Sequence, residues 1–116
     1  LNREIATALF EEIGIIVDSV EDGTDAGERM NEVDDDRYDL IFMDIQMPKM
    51  DGYMTTRENR TLKNNKKANI PIIAMTANAF EEDKEKSFNA GMNAHIAKPI
   101  DINTILAVFD QVFGTL

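Results

Sequence analysis

Three polar residues stand where apolar runs of this sequence end. Asp44 follows Asp39-Leu40-Ile41-Phe42-Met43, Thr76 follows Ile70-Pro71-Ile72-Ile73-Ala74-Met75, and Lys98 follows Ala94-His95-Ile96-Ala97. A carboxylate, a hydroxyl and an ammonium at the ends of apolar segments are costly unless they are used. Alone, each reads as an ordinary rim residue. At corresponding ends of three segments they read as a site. The trio suits an aspartate that accepts a phosphoryl group, because carboxylates are competent nucleophiles toward phosphorus. Such a transfer depends on placement and on neutralising charge spread over the phosphoryl oxygens. A lysine supplies a compact positive charge for one oxygen and a threonine hydroxyl donates to another. Ala77 after Thr76 leaves room for the group.

The elements that must position these residues alternate in type. Ile15-Ile16-Val17 and the three runs above are short, apolar and rich in branched residues, the pattern of strands buried on both faces. Strands are expected at 15–20, 38–43, 70–75 and 94–97. Between them lie helix-period stretches. Residues 2–13 place Ile5, Ala8, Leu9 and Ile13 on one stripe, with Asn2 as cap. Residues 24–34 follow Thr24 as cap and carry Ala26, Met30 and Val33, with Gly27 weakening the helix by up to about 1 kcal/mol. Residues 80–90 open with Glu81, Glu82 and Asp83, which suit the positive end of a helix dipole, and close at Gly91. The stripe of 101–113 is the clearest: Ile102, Ile105, Leu106, Phe109, Val112 and Phe113. Alternation of this kind predicts an α/β fold, a doubly wound parallel sheet covered by helices on both faces. In such sheets sites gather at the carboxyl ends of the strands. Arg60–Lys67, with four bases in eight residues, is expected to be an exposed loop.

Composition narrows the function classes. At 116 residues the chain makes one domain, 1–116, and buries about two thirds of its unfolded surface without staples. It has no cysteine, which excludes disulfides and thiolate metal sites and fits a reducing cytoplasm. No apolar run approaches the roughly 20 residues that cross a bilayer, and no signal peptide is visible. Residues 1–58 hold 16 acids and 5 bases, a net of −11, whereas 59–116 hold 6 acids and 7 bases. A domain at −10 repels phosphate backbones, so no nucleic-acid partner and no membrane contact are expected. Asp34-Asp35-Asp36 reads as a solvated acidic turn, since a calcium loop would need Gly and Glu at positions it lacks.

At three motifs a family resemblance becomes specific. Met43-Asp44-Ile45-Gln46-Met47-Pro48-Lys49-Met50-Asp51-Gly52-Tyr53, Ile72-Ile73-Ala74-Met75-Thr76-Ala77-Asn78-Ala79 and Gly91-Met92-Asn93-Ala94-His95-Ile96-Ala97-Lys98-Pro99-Ile100 together resemble a response-regulator receiver domain. The likeness is greatest to receivers of bacterial hybrid sensor histidine kinases. It implies a flavodoxin-like sheet in the order 2-1-3-4-5. It implies Asp44 as phosphoacceptor, Thr76 as switch hydroxyl and Lys98 as phosphoryl-binding base, with magnesium (Mg2+) held by Asp44 and the Gln46 main-chain carbonyl. The partners it implies are a histidine kinase and a histidine phosphotransfer domain, reached through a face made by 81–90, 94–97 and 101–113. The domain would serve a cytoplasmic two-component phosphorelay as a phosphoacceptor, not as a turnover enzyme. A pseudo-receiver that binds partners without phosphate is the alternative.

The departures from the family pattern carry expectations of their own. The family's first strand, with the acidic pair that completes the magnesium ligands, is absent from these residues. Its place between 15–20 and 38–43 becomes a gap, and open strand edges favour self-association or weak stability. His95 stands where the family's switching ring usually stands, and is read equally as an ordinary strand-end histidine. Gln46 and Asn78 flank the expected path of an attacking water and would tune phosphoryl lifetime. Asn59 is expected to weaken its helix.

Overall fold

The structure is a computed structural model. It describes the backbone of residues 3–34, 36–45, 51–76, 81–98 and 100–114, and the side chains of all of these except 3–5 and 81–83. Helix α1 (Arg3–Glu12) and α2 (Gly23–Glu32) come first. Strand β1 (Ile41–Asp44), α3 (Gly52–Arg60), the single turn α4 (Asn65–Ala68), β2 (Ile72–Thr76), α5 (Glu81–Ala90), β3 (Ala94–Ala97) and α6 (Ile102–Phe113) follow. The strands form one parallel sheet in the order β1-β2-β3. The predicted αβ alternation is thus present from β1 onward.

Short polar side chains start the helices. Asp22, Asp51, Asn64 and Asp101 each accept a hydrogen bond from the backbone N–H three residues on, at 2.9, 2.9, 3.0 and 2.8 Å. This satisfies donors that a helix N-terminus leaves open. The cap of the second helix is therefore Asp22 and not the expected Thr24. The Asn2 cap lies outside the described residues.

Two apolar clusters cover the two faces of the sheet. On one, Phe10 of α1 and Ile105 and Val108 of α6 pack on Ile73, Met75, Ala94 and Ile96. On the other, Met30 of α2 packs with Met43, Ile45, Ile72 and Ala74. Ile72, Ile73 and Ala74 in the central strand are completely buried. Continuous hydrophobicity in β2 follows from cover on both faces. A row of rings, Phe10 stacked on Phe42 at 4.3 Å and Phe42 to Phe109 at 6.0 Å, ties α1, β1 and α6 together.

Three expectations need correction. The segment 15–20 is not a strand. Strand geometry is held by a ladder, and no strand of the sheet lies beyond β1 among the described residues. Among the described residues the sheet is therefore three strands, β1-β2-β3, which are the last three of the expected 2-1-3-4-5 order, with 15–20 outside the ladder. The segment is anchored by Ile15 N–H to Phe10 O at 3.0 Å. Asp18 adds contacts, accepting from Tyr38 Oη at 2.7 Å and Arg37 Nη2 at 3.2 Å.

The basic stretch 60–67 is not simply an exposed loop. Arg60 is partly buried and donates to Gly91 O, Ala68 O, Ile70 O and Asn93 Oδ1 over 2.6–2.9 Å. Burial pulls the Arg60 pKa below the ordinary arginine value. Asn59 is not a weak point either. It is buried, and its Nδ2 donates to Lys67 O at 2.9 Å, tying α3 to α4.

Candidate functional site

Asp44, Thr76 and Lys98 come to the same end of the sheet for a reason of register. Asp44 is the last residue of β1 and pairs with Met75; Thr76 is the last of β2 and pairs with Ala97; Lys98 follows directly on β3. Parallel strands put all three carboxyl ends on one edge. Lys98 N–H then donates to Thr76 O at 2.7 Å, and Ile45 N–H to Met75 O at 3.1 Å, extending the ladder past the strands.

The central contact is ionic. Lys98 Nζ lies 2.9 Å from Asp44 Oδ2, with the side chains 14% and 24% exposed. That is shielded enough for the charges to interact more strongly than a surface pair, and open enough for a ligand to reach them. Thr76 is buried beside them at 8% exposure. It is held on the sheet by its main-chain carbonyl. His95 is the second residue of β3, paired with Ala74, and not a strand-end residue as expected. Gln46 and Asn78 lie outside the described residues.

Gly52 fixes the end of β1. Its N–H donates to Ile45 O at 2.9 Å. A Cβ built there would meet Asp44 O at 2.6 Å and Ile45 Cα at 2.9 Å. Only a glycine lets the start of α3 seat this closely on the main chain of Asp44. The sequence signal is the Asp51-Gly52 pair at a helix start, inside the motif that follows Asp44. The Arg60 staple left no such signal, because its acceptors, three main-chain carbonyls and the Asn93 side-chain oxygen, come from other segments.

The described residues do not make a magnesium cage. Asp44 offers one carboxylate, one oxygen of which is already engaged by Lys98. No three acidic or histidine side chains gather into a metal site among the described residues. Magnesium commonly takes one or two carboxylates with phosphate and water, so Asp44 alone is a partial ligand set.

Comparisons with known proteins agree on the family and the fold. The family model described as response regulator receiver domain matches residues 1–110. The chain belongs to the receiver-domain family. This receiver is 46% identical over 103 residues, 86% of its length, to Hybrid signal transduction histidine kinase L of Dictyostelium discoideum. It is 30% identical over 105 residues, 90% of its length, to Sensor histidine kinase RcsC of Escherichia coli. It spans 6% and 10% of those two proteins. Relatives are therefore not confined to bacteria.

Among solved structures, the receiver domain of sensor histidine kinase PA1611 from Pseudomonas aeruginosa superposes with a TM-score of 0.84 at 36% identity. The match covers 98% of this chain and 89% of that one. That structure is described as having a magnesium ion coordinated in the active site cleft. The Vibrio cholerae chemotaxis protein CheY4, at 24% identity and a TM-score of 0.82, shares the fold. The flavodoxin-like fold class and a place in two-component signalling follow. No helix among the described residues is long and apolar enough to cross a membrane.

Proposed function

We propose that Asp44 is the phosphoacceptor of this receiver and that the Lys98–Asp44 contact at 2.9 Å is its resting state. A phosphohistidine of a histidine kinase is the donor. One Asp44 carboxylate oxygen forms an O–P bond as the N–P bond breaks, and the imidazole leaves with a proton. Lys98 then turns from the carboxylate to a phosphoryl oxygen, and the Thr76 hydroxyl donates to another. Magnesium supplies further charge neutralisation when it binds, with Asp44 as one of its ligands.

The chain acts as a stoichiometric acceptor in the cytoplasm, with a histidine kinase or a histidine phosphotransfer domain as partner. Exposed Phe88 on α5 and Leu106 and Phe113 on α6 supply apolar surface for such a contact. The His95 side chain, on β3, changes position as Thr76 engages phosphate. Gln46 and Asn78 tune the lifetime of the phosphoryl group. The observation that supports the reading is the shielded Asp44–Lys98 pair at the carboxyl end of the sheet. A pseudo-receiver has no observation in its favour.

The test is intact-mass spectrometry after acetyl phosphate and magnesium. The expected result is a shift of one phosphoryl group that vanishes in Asp44→Asn. Labelling that persists in that variant overturns the assignment.

A further inference from the structure

Lys98 and Asp44 are a nitrogen nucleophile and an acyl group held in contact. Lys98 Nζ lies 2.9 Å from Asp44 Oδ2, so the carboxyl carbon Cγ is one bond beyond that contact. Both main chains are pinned. Asp44 pairs with Met75 at the end of β1, and the Lys98 N–H donates to Thr76 O at 2.7 Å. The two side chains are 14% and 24% exposed, which limits the water that competes for the same carbon. The main-chain nitrogen of Ile45, which would attack in the cyclisation of an aspartyl side chain, is occupied: its N–H donates to Met75 O at 3.1 Å.

We propose that phosphorylation of Asp44 opens a second reaction, in which Lys98 closes an isopeptide bond onto Asp44 and shuts the site permanently. The inference rests on Asp44 being the phosphoacceptor. A free carboxylate does not acylate an amine, because it has no adequate leaving group. An aspartyl phosphate has one. The Lys98 ammonium passes one proton to the phosphoryl oxygen it faces, and the amine then attacks Cγ. The Nζ–Cγ bond forms and the bond from Cγ to the bridging oxygen breaks. The second amine proton follows the leaving group, which departs as dihydrogen phosphate. Holding the two groups in contact replaces a bimolecular encounter, an advantage on the order of 10⁵ M or more in effective concentration for well-oriented groups. Hydrolysis competes and regenerates Asp44, so the amide accumulates over repeated cycles. The product is a neutral link between residues 54 positions apart. It has lost both the carboxylate that accepts phosphate and the ammonium that neutralises it.

The probe is acetyl phosphate with magnesium, added repeatedly to the 116-residue chain and followed by intact-mass spectrometry and peptide mapping. The expected result is a species lighter than the parent by one water, formed only after the phosphorylated chain appears. Tandem mass spectrometry should join Asp44 to Lys98 in it, and mild alkali should leave it intact. Lys98→Arg keeps a positive charge without a nucleophilic amine. It should form at least tenfold less of this species for each phosphoryl group turned over. A phosphorylated chain that returns wholly to the parent mass overturns the inference and leaves the phosphoacceptor reading standing. A dehydrated species that alkali reopens, or that Lys98→Arg forms equally, also overturns it and assigns the water loss to cyclisation on the Ile45 nitrogen. The lack of any phosphoryl shift overturns both.

Discussion

Lys98 reaches across the end of the central strand to place its ammonium 2.9 Å from the carboxylate of Asp44, joining residues 54 positions apart in the chain. Removing the ammonium leaves a largely shielded carboxylate without its counter-charge and a phosphoryl group without its donor. Lys98→Ala should slow acetyl-phosphate labelling of Asp44 on the order of a hundredfold, the usual effect of losing one charge-stabilising donor. Time-resolved intact-mass measurement reads this. A labelling rate within threefold of the parent chain would remove Lys98 from the mechanism.

Gly52 is a positioning residue for Asp44. A methyl group at Gly52 has the Asp44 carbonyl oxygen 2.6 Å away, so either α3 or the end of β1 must shift. Gly52→Ala should destabilise the fold by about 1–3 kcal/mol, as overpacking does. It should also lower the labelling rate at temperatures where the variant is fully folded. Urea titration gives the first and mass spectrometry below the transition gives the second. A destabilised variant that labels at the parent rate would make Gly52 structural only.

The site was legible in the sequence because its residues end apolar runs. A polar residue at the boundary of a buried strand needs a reason, and register brings Asp44, Thr76 and Lys98 to one edge of the sheet. The failures have a common physical origin in contacts between distant segments. Ile15–Val20 has strand composition, yet composition cannot supply the neighbouring ladder that makes a strand. Arg60 sits in a basic stretch, and nothing nearby reveals that Gly91 and Ile70 bring carbonyls to it. Asn59 read as a helix weakener because its partner, Lys67 O, comes from a turn beyond the helix.

Arg60 is the staple of the sheet end opposite the site. Its planar fork meets four acceptor atoms, and the main chain at Gly91 takes a φ of 106° to present its carbonyl there. Arg60→Met keeps the stem but leaves buried carbonyls unsatisfied, a loss of about 2–4 kcal/mol. Arg60→Lys should recover less than half of it, because an ammonium cannot reproduce the fork. Urea midpoints of the three chains decide this. Full rescue by lysine would mean that charge, not geometry, holds the segment.

Acid should weaken the last helix through its cap. The Thr104 N–H, and then the Thr104 hydroxyl, hold the Asp101 carboxyl below the ordinary aspartate range. A depressed folded-state pKa contributes stability that is fully present above the unfolded value, about 4, and is lost as pH falls through the folded value. Asp101→Asn retains a capping oxygen without the titration. Its stability, measured by thermal unfolding between pH 6 and 3, should therefore fall less steeply than that of the parent. Parallel curves would show that the Asp101 charge does not contribute.

Thr56 offers a gain instead of a loss. It is completely buried in α3, and its Oγ1 has no hydrogen-bond partner among the described residues. A desolvated hydroxyl without a partner is unfavourable, whereas a methyl of the same shape in that place is not. Valine also matches the branching of threonine, so the helix loses no rotamer freedom beyond what it has already lost. Thr56→Val should stabilise the fold by about 1 kcal/mol, raising the urea midpoint without altering the slope of the transition. Because Thr56 is not among the residues of the candidate site, labelling of Asp44 should be unchanged. A lower midpoint would mean that the hydroxyl is satisfied in solution, by a water at the α3 core face.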